Sequence, residues 1–169
     1  MATHTKHICG FDFAVELINI ANRLKNESDI KNVDFFHATT KESLPFQQEQ
    51  FNLIYDRRGP LSIADHPHVL KRGGTIIGIH GEFDIEELEN RLAQNGFVDF
   101  SVSSYKDANL CFPNENDFAR YLSANHMNPD YTLPENKTIF EKILRDHTIN
   151  GEIILPQPRH IWSARRATI

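Results

Sequence analysis

No run of apolar residues in this sequence approaches the roughly 20 that a membrane-spanning helix requires, so such a helix is excluded on length alone. The opening MATHTKHICGFDF lacks the charged start, apolar middle and small-residue cleavage site of a secretory signal, and the expected location is the cytoplasm. Cysteine is scarce. Cys9 and Cys111 stand far apart with no C-x-x-C spacing, which argues against a disulfide framework or a cysteine metal site and for two reduced thiols. Positive charge is also short: 18 Lys and Arg against 23 Asp and Glu give a net charge of −5. Without a basic stripe, a general nucleic-acid or membrane-surface binder is disfavoured. Glycine is sparse too, with eight residues and no Gly-x-Gly anywhere. A turn that opens its backbone to a nucleotide by lacking Cβ atoms is therefore missing.

What is present is a globular composition, 40% hydrophobic and 24% charged, in a length suited to one domain over residues 1–169. Short apolar runs alternate with helical spacing, the rhythm of an α/β sheet protein. HICGF (7–11) reads as a strand ending at Asp12, and Ala14, Leu17, Ile18, Ala21 and Leu24 predict an amphipathic helix over 13–25 that covers a sheet. VDFF (33–36) and FNLIY (51–55) are strand candidates, and TIIGIH (75–80) suits a buried parallel strand after a Gly73-Gly74 turn. Asp84 and Glu87 form a capping box ahead of Ile85, Leu88 and Leu92, with Gly96 as the stop. FVDFSVSSY (97–105) alternates as a strand. Helices are predicted at 115–124 and 137–147, and a closing strand pair at 152–155 and 160–164.

In order, CGFDFAVELINIANR, VDFFHATTKESLPF, FNLIYDRRGP and HVLKRGGTIIGIHGE resemble the second to fifth strands, with their turns, of the Rossmann-like class I S-adenosylmethionine-dependent methyltransferases. The tail resembles the antiparallel end of the same sheet. The resemblance implies an α/β fold with a mostly parallel sheet, an antiparallel C-terminal end, and the family's first strand and helix missing. It also implies S-adenosylmethionine as cofactor. Asp12 ends a strand where open α/β sheets bind ligands, so its carboxylate is placed to take the ribose hydroxyls or to cap the following helix. Phe13 joins it on the cofactor side, and Leu44-Pro45-Phe46 forms either an apolar wall beside adenine or a turn with a buried anchor. Where the family carries an acidic residue for the adenine amino group, this chain has Ala38-Thr39-Thr40.

On the substrate side stand Asp56, Arg57 and Arg58, followed by Gly59-Pro60. Two guanidiniums there suit a carboxylate or phosphate; equally, Asp56 pairs with an arginine and Gly-Pro makes the turn. His80, at the end of the fifth strand of the resemblance, is a further substrate-side candidate. Nine histidines raise the question of a metal, but none has the spacing of H-E-x-x-H and no cysteine cluster supports them, so no metal site is expected. Trp162 reads as core.

Two functions of different class follow. One is methyl transfer to an unidentified acceptor in a complete form of the domain, with this chain weak or inactive alone; a small-molecule acceptor is favoured over RNA or protein. The other is a non-catalytic binding or assembly protein on a degenerate methyltransferase fold. A nicotinamide dehydrogenase is disfavoured by the lack of G-x-G-x-x-G and of Tyr-x-x-x-Lys. A sheet without its first strand exposes strand edges, so a homo-oligomer with residues 1–12 at or near the contact is expected.

Overall fold

The alternation of apolar runs and helical spacing resolves into an α/β fold in the computed structural model, which describes residues 4–168. The chain runs β1 (Ile8–Asp12), α1 (Val15–Glu27), β2 (Val33–His37), β3 (Phe51–Arg57), β4 (Leu70–His80), α2 (Ile85–Gln94) and β5 (Phe97–Tyr105). It continues β6 (Asn109–Phe112), α3 (Glu115–Ser123), α4 (Lys137–His147), β7 (Thr148–Ile149), β8 (Glu152–Pro156) and β9 (Arg159–Arg166). Parallel and antiparallel strands are mixed, with a mostly parallel sheet. No helix among the described residues is long and apolar enough to cross a membrane.

The chain forms two compact units. The first takes residues up to Gly78, Asp84–Ser101 and residues from Trp162; the second takes Ile79–Phe83 and Val102–Ile161. In the first unit, β1 and β2 form a parallel pair in which Ile8 faces Val33 and Asp12 faces His37. The remaining long strands are ordered β3-β4-β9-β5. The strand candidates at 7–11, 33–36, 51–55 and 75–80 thus fall into two ladders, β1-β2 and β3-β4. Aromatic packing joins them instead of backbone hydrogen bonds: Phe46 lies 6.0 Å from Phe11, 5.4 Å from Phe36 and 5.0 Å from Phe51, ring centre to ring centre.

Three other expectations change in detail. Strand β4 begins at Leu70, not residue 75, and carries Gly73 within it at φ +73°, a conformation that costs glycine little. Gly74 follows there because a Cβ would meet the carbonyl oxygens of Lys71 and Asn52. The closing strands do not pair with each other: β9 lies between β4 and β5, whereas β8 pairs antiparallel with β6 and β7. Helix α1 buries Ile18 alone, and Leu17 and Leu24, expected on its covered face, are exposed.

Asp84 caps α2 as its spacing predicts, accepting a hydrogen bond from the Glu87 amide at 3.0 Å. Deeper in the first unit, Trp162 is fully buried, and its ring occupies the volume that a Cβ on Gly78 would need. The second unit has its own core. Asn114 caps α3, and Phe118, Ala119, Phe140 and Ile153 pack together from α3, α4 and β8.

Helix α1 is fastened to β2 by charge. Lys25 Nζ donates to Asp34 Oδ1 at 2.8 Å, and His7 Nε2 lies 3.1 Å from the other oxygen. The Lys25 hydrogen bond, ahead of the charges of Lys25 and His7, holds the Asp34 carboxyl below the usual aspartate range. A depressed carboxyl stabilises the fold above its unfolded pKa and loses that contribution as pH falls through the folded value. We expect Asp34→Asn to flatten the decline of Tm below about pH 4. The effect is small, because the pair is half-exposed. An acid limb of unchanged steepness in a pH series of thermal melts would remove this role.

Candidate functional site

A cleft of about 410 Å³ opens in the first unit, within the range of small-molecule sites. Residues 9–13 of β1 and its exit line one part of it, and residues 53–60 of β3 and its exit another. Ala38–Thr40, Leu44, Phe46, Phe51, Ile63 and Val69 complete it. Of the residues that the sequence singled out, Asp12, Phe13, Leu44, Asp56, Arg57 and Arg58 all line this cleft. Pro45 is exposed outside the lining. His80 is buried in the second unit, its ring edge-on to Phe83 at 5.9 Å.

Strand β1 delivers Asp12 to the cleft because the strand stops there and α1 starts within three residues. Asp12 Oδ1 accepts a hydrogen bond from the Ala14 amide at 2.8 Å, and its carbonyl accepts one from the Ala38 amide at 3.0 Å. The side chain thus shapes the entry to α1 with one of its two carboxylate oxygens. His37 Nε2 donates to the Phe13 carbonyl at 2.9 Å, tying the end of β2 to the same corner. The Phe13 ring remains three-quarters exposed, at 75%.

The loop that replaces the expected acidic residue is built from hydroxyls. Thr40 Oγ1 and Ser62 Oγ are 2.6 Å apart, and buried His66 donates from Nε2 to the Thr40 carbonyl at 2.9 Å. His66 is therefore a structural strut. Among the described residues, no group of three His, Cys, Asp or Glu side chains is arranged to hold a metal ion. Cys9 also lines the cleft, but burial first and the Asp34 charge second push its thiol above the ordinary range. It stays protonated at neutral pH, which disfavours it as a nucleophile.

At the end of β3, Asp56 Oδ1 accepts from the Gly59 amide at 3.0 Å and closes a tight turn. Arg58 takes the left-handed region at φ +61°, which a side chain rarely adopts. An added Cβ on Gly59 would displace the Asp56 carboxylate from this turn. Asp12, Asp56, Arg57 and Arg58 line the cleft at the strand exits, and mostly apolar residues line it along the strand bodies.

These features fit an adenosine better than a whole S-adenosylmethionine. Leu44, Phe46 and Phe13 offer apolar surface, and Asp12 offers a carboxylate at a strand end. The glycines in the lining give no open backbone for an amino-acid moiety: the Cβ position of Gly10 is filled by the Phe35 ring, and that of Gly59 by Asp56. Sequence reasoning also missed Leu53, Tyr55, Ile63 and Val69 as lining residues. The first two carried a signal, being apolar residues at alternate positions of one strand.

No family model and no curated protein matches the sequence. Solved structures do match. The YcgJ protein of Bacillus subtilis superposes with a TM-score of 0.69 at 16% identity, over 98% of this chain and 85% of its own. A candidate methyltransferase of Bacillus halodurans gives 0.64 at 14% identity, over 99% and 86%. Phosphoethanolamine N-methyltransferase 2 of Haemonchus contortus, bound to phosphomonomethylethanolamine and S-adenosylhomocysteine, gives 0.57 at 12% identity, over 94% of this chain and 43% of its own. The β-α alternation, the mixed sheet and these superpositions give the chain the Rossmann-like fold of the class I S-adenosylmethionine-dependent methyltransferases.

Proposed function

We propose that this chain is a methyltransferase-like protein that takes the adenosine half of S-adenosylmethionine in the first unit's cleft and, alone, transfers a methyl group weakly or not at all. One observation carries the reading: the cleft gathers Asp12, Phe13 and Leu44 with the Asp56–Arg58 turn. Asp12 takes the ribose hydroxyls with the oxygen not held by the Ala14 amide, and Phe13 and Leu44 flank the base. The guanidiniums of Arg57 and Arg58 suit a small anionic acceptor. In a complete form of the domain the reaction is displacement at the sulfonium, which needs chiefly positioning and a dry site.

The lack of an open glycine turn sets the strength. S-adenosylhomocysteine is expected to bind this chain no tighter than about 1 mM, near −4 kcal/mol. At millimolar concentrations it should shift amide resonances of Asp12, Phe13, Ala38–Thr40 and Leu44 in a two-dimensional NMR titration. Asp12→Ala should weaken those shifts by about tenfold, the loss of hydrogen bonds to a charged acceptor. Shifts confined to other regions, or an unaltered response in the variant, would reject the assignment.

A further inference from the structure

We propose that the second unit carries a binding site for the carboxylate of a small molecule, in which Arg159 and Tyr121 contact the ligand and Gln157 holds both in place. Arg159 opens β9, and Gln157 lies in the short connection that joins β8 to it. The Gln157 backbone amide donates to the Ala108 carbonyl at 2.8 Å, which fastens this connection to the residue ahead of β6. The Gln157 side chain then meets two groups at once. Arg159 Nη2 donates to Gln157 Oε1, and Gln157 Nε2 donates to the Tyr121 hydroxyl at 3.1 Å. Arg159 Nη1 donates to the Pro158 carbonyl at 3.3 Å.

The direction of these bonds follows from donor chemistry. A guanidinium has no acceptor, so the amide turns its oxygen to Arg159 and its nitrogen to Tyr121. The Tyr121 oxygen therefore accepts, and its own proton is left over. Among the described residues no acceptor takes that proton. Arg159 is in a similar position. Two of its five donors are used, both on neutral oxygens, and it has no carboxylate partner among the described residues although it is part-buried. A guanidinium withdrawn from water is normally paired with an acid. Gly81 stands against it without a side chain, and a Cβ there would come within 3.6 Å of Nη1. Two oriented donors thus lack the acceptor that their surroundings call for.

The span between the two donors selects the head group of the ligand. They are separated by the oxygen-to-nitrogen width of one amide and a hydrogen bond at each end. A carboxylate has two oxygens at nearly the same width, so it reaches both donors with bonds of ordinary length. Charge selects in the same sense. One guanidinium and one neutral hydroxyl match the single charge of a carboxylate and undercompensate a phosphate, which is close to doubly charged at neutral pH. Glu82, next to Gly81 in the chain, disfavours a dianion further. The net charge of −5 turns away a polyanion. The Tyr121 ring is 38% exposed and lies 5.1 Å from the Phe112 ring, which offers apolar surface beside the head group. The ligand is therefore a carboxylate on an aromatic or apolar body. Its site shares no residue with the cleft of the first unit and does not rest on methyl transfer.

The probe is benzoate, titrated into the full chain and followed by NMR of the backbone amides and of the Arg159 Nε–H. Binding is expected at about 1–10 mM, with shifts at Tyr121, Gln157 and Arg159. Benzylamine, with the same ring and the opposite charge, should leave these resonances in place. Inorganic phosphate should bind at least about threefold more weakly than benzoate. Arg159→Lys keeps the charge but loses the fork and should weaken binding about tenfold, and Tyr121→Phe should do so by about five- to tenfold. Gln157→Glu tests the positioning role. Its carboxylate would pair with Arg159 and take the place of the ligand, so benzoate affinity should fall by more than about tenfold while Tm holds or rises. Benzoate shifts that benzylamine reproduces, that gather at Arg57 and Arg58 instead, or that persist undiminished in Gln157→Glu overturn the proposal. So does phosphate binding more tightly than benzoate, and so does the absence of any response to benzoate up to about 50 mM. None of these outcomes depends on nucleoside binding, so a failure here is distinct from a failure of the cofactor reading.

Discussion

Trp162→Ala is expected to cost ~3–5 kcal/mol and to lower Tm by roughly 10 °C, the largest loss available from a single side chain in the first unit. Trp162 is the sole tryptophan and is completely buried. It sits on β9, whose neighbours in the ladder are β4 and β5, and its indole rests where Gly78 of β4 has no side chain. Large and small residues facing each other in this way fill a core without voids, so removal of the ring leaves a cavity that two strand backbones cannot close. The converse substitution tests the same contact. Gly78→Ala should cost about 1–3 kcal/mol by driving a methyl group into the indole, and should be nearly neutral in the Trp162→Ala background, where the methyl has space. Denaturant unfolding followed by circular dichroism measures all three variants. Additive losses in the double variant would show that the two residues do not share this packing.

Much of the fold is legible from local chemistry alone. Helix α2 is marked by Asp84, the acidic first turn and the Leu88 and Leu92 stripe, and each of these acts within a single turn. Strands β2, β3 and β5 show as apolar or alternating runs. What is not legible is partnership. The spacing of Leu17, Ile18, Ala21 and Leu24 announces an apolar face, but only the fold reveals that Ile18 is covered and Leu17 and Leu24 are not. In the same way, EIIL and HIWSA look like consecutive strands of one sheet, whereas their partners are β6 and β7 for one and β4 and β5 for the other. Strand β6, four residues with Leu110 and Phe112 half-buried, is too short for alternation to rise above a loop.

The site divides along the same line. Asp12 and the Asp56–Arg58 turn are found from the sequence because strand ends carry function in open α/β sheets. That they share a cleft depends on the separation of the β1-β2 and β3-β4 ladders, which no residue announces. Phe46 belongs to the Leu44-Pro45-Phe46 wall, yet its observed role is to bridge Phe11, Phe36 and Phe51 across the place where backbone pairing stops. The hydroxyl pair of Thr40 and Ser62 and the His66 strut join residues more than 20 positions apart, and short motifs contain no trace of them.

The second unit depends on fewer buried groups than the first, so one substitution there should have a concentrated effect. Helix α3 buries Phe118 and Ala119, α4 buries Phe140, and β8 adds Ile153. The Phe118 ring lies 5.0 Å from Phe112, 6.0 Å from Phe140 and 5.5 Å from the His147 ring, so it meets β6, α4 and the end of α4 at once. Neither helix is long enough to persist without that contact, since isolated helices under about 12–15 residues are marginal in water. Phe118→Ala is therefore expected to cost ~3–5 kcal/mol and to raise amide exchange rates in α3 and α4 by about 100-fold or more. Phe118→Leu keeps most of the apolar volume and should lose much less than the alanine variant. Hydrogen exchange followed by mass spectrometry separates the outcomes, because it reads each helix by itself. Unchanged protection of Glu115–Ser123 and Lys137–His147 in Phe118→Ala would mean that the partly buried groups around the core, Leu122, Tyr131 and Leu155 among them, hold the helices without the central ring.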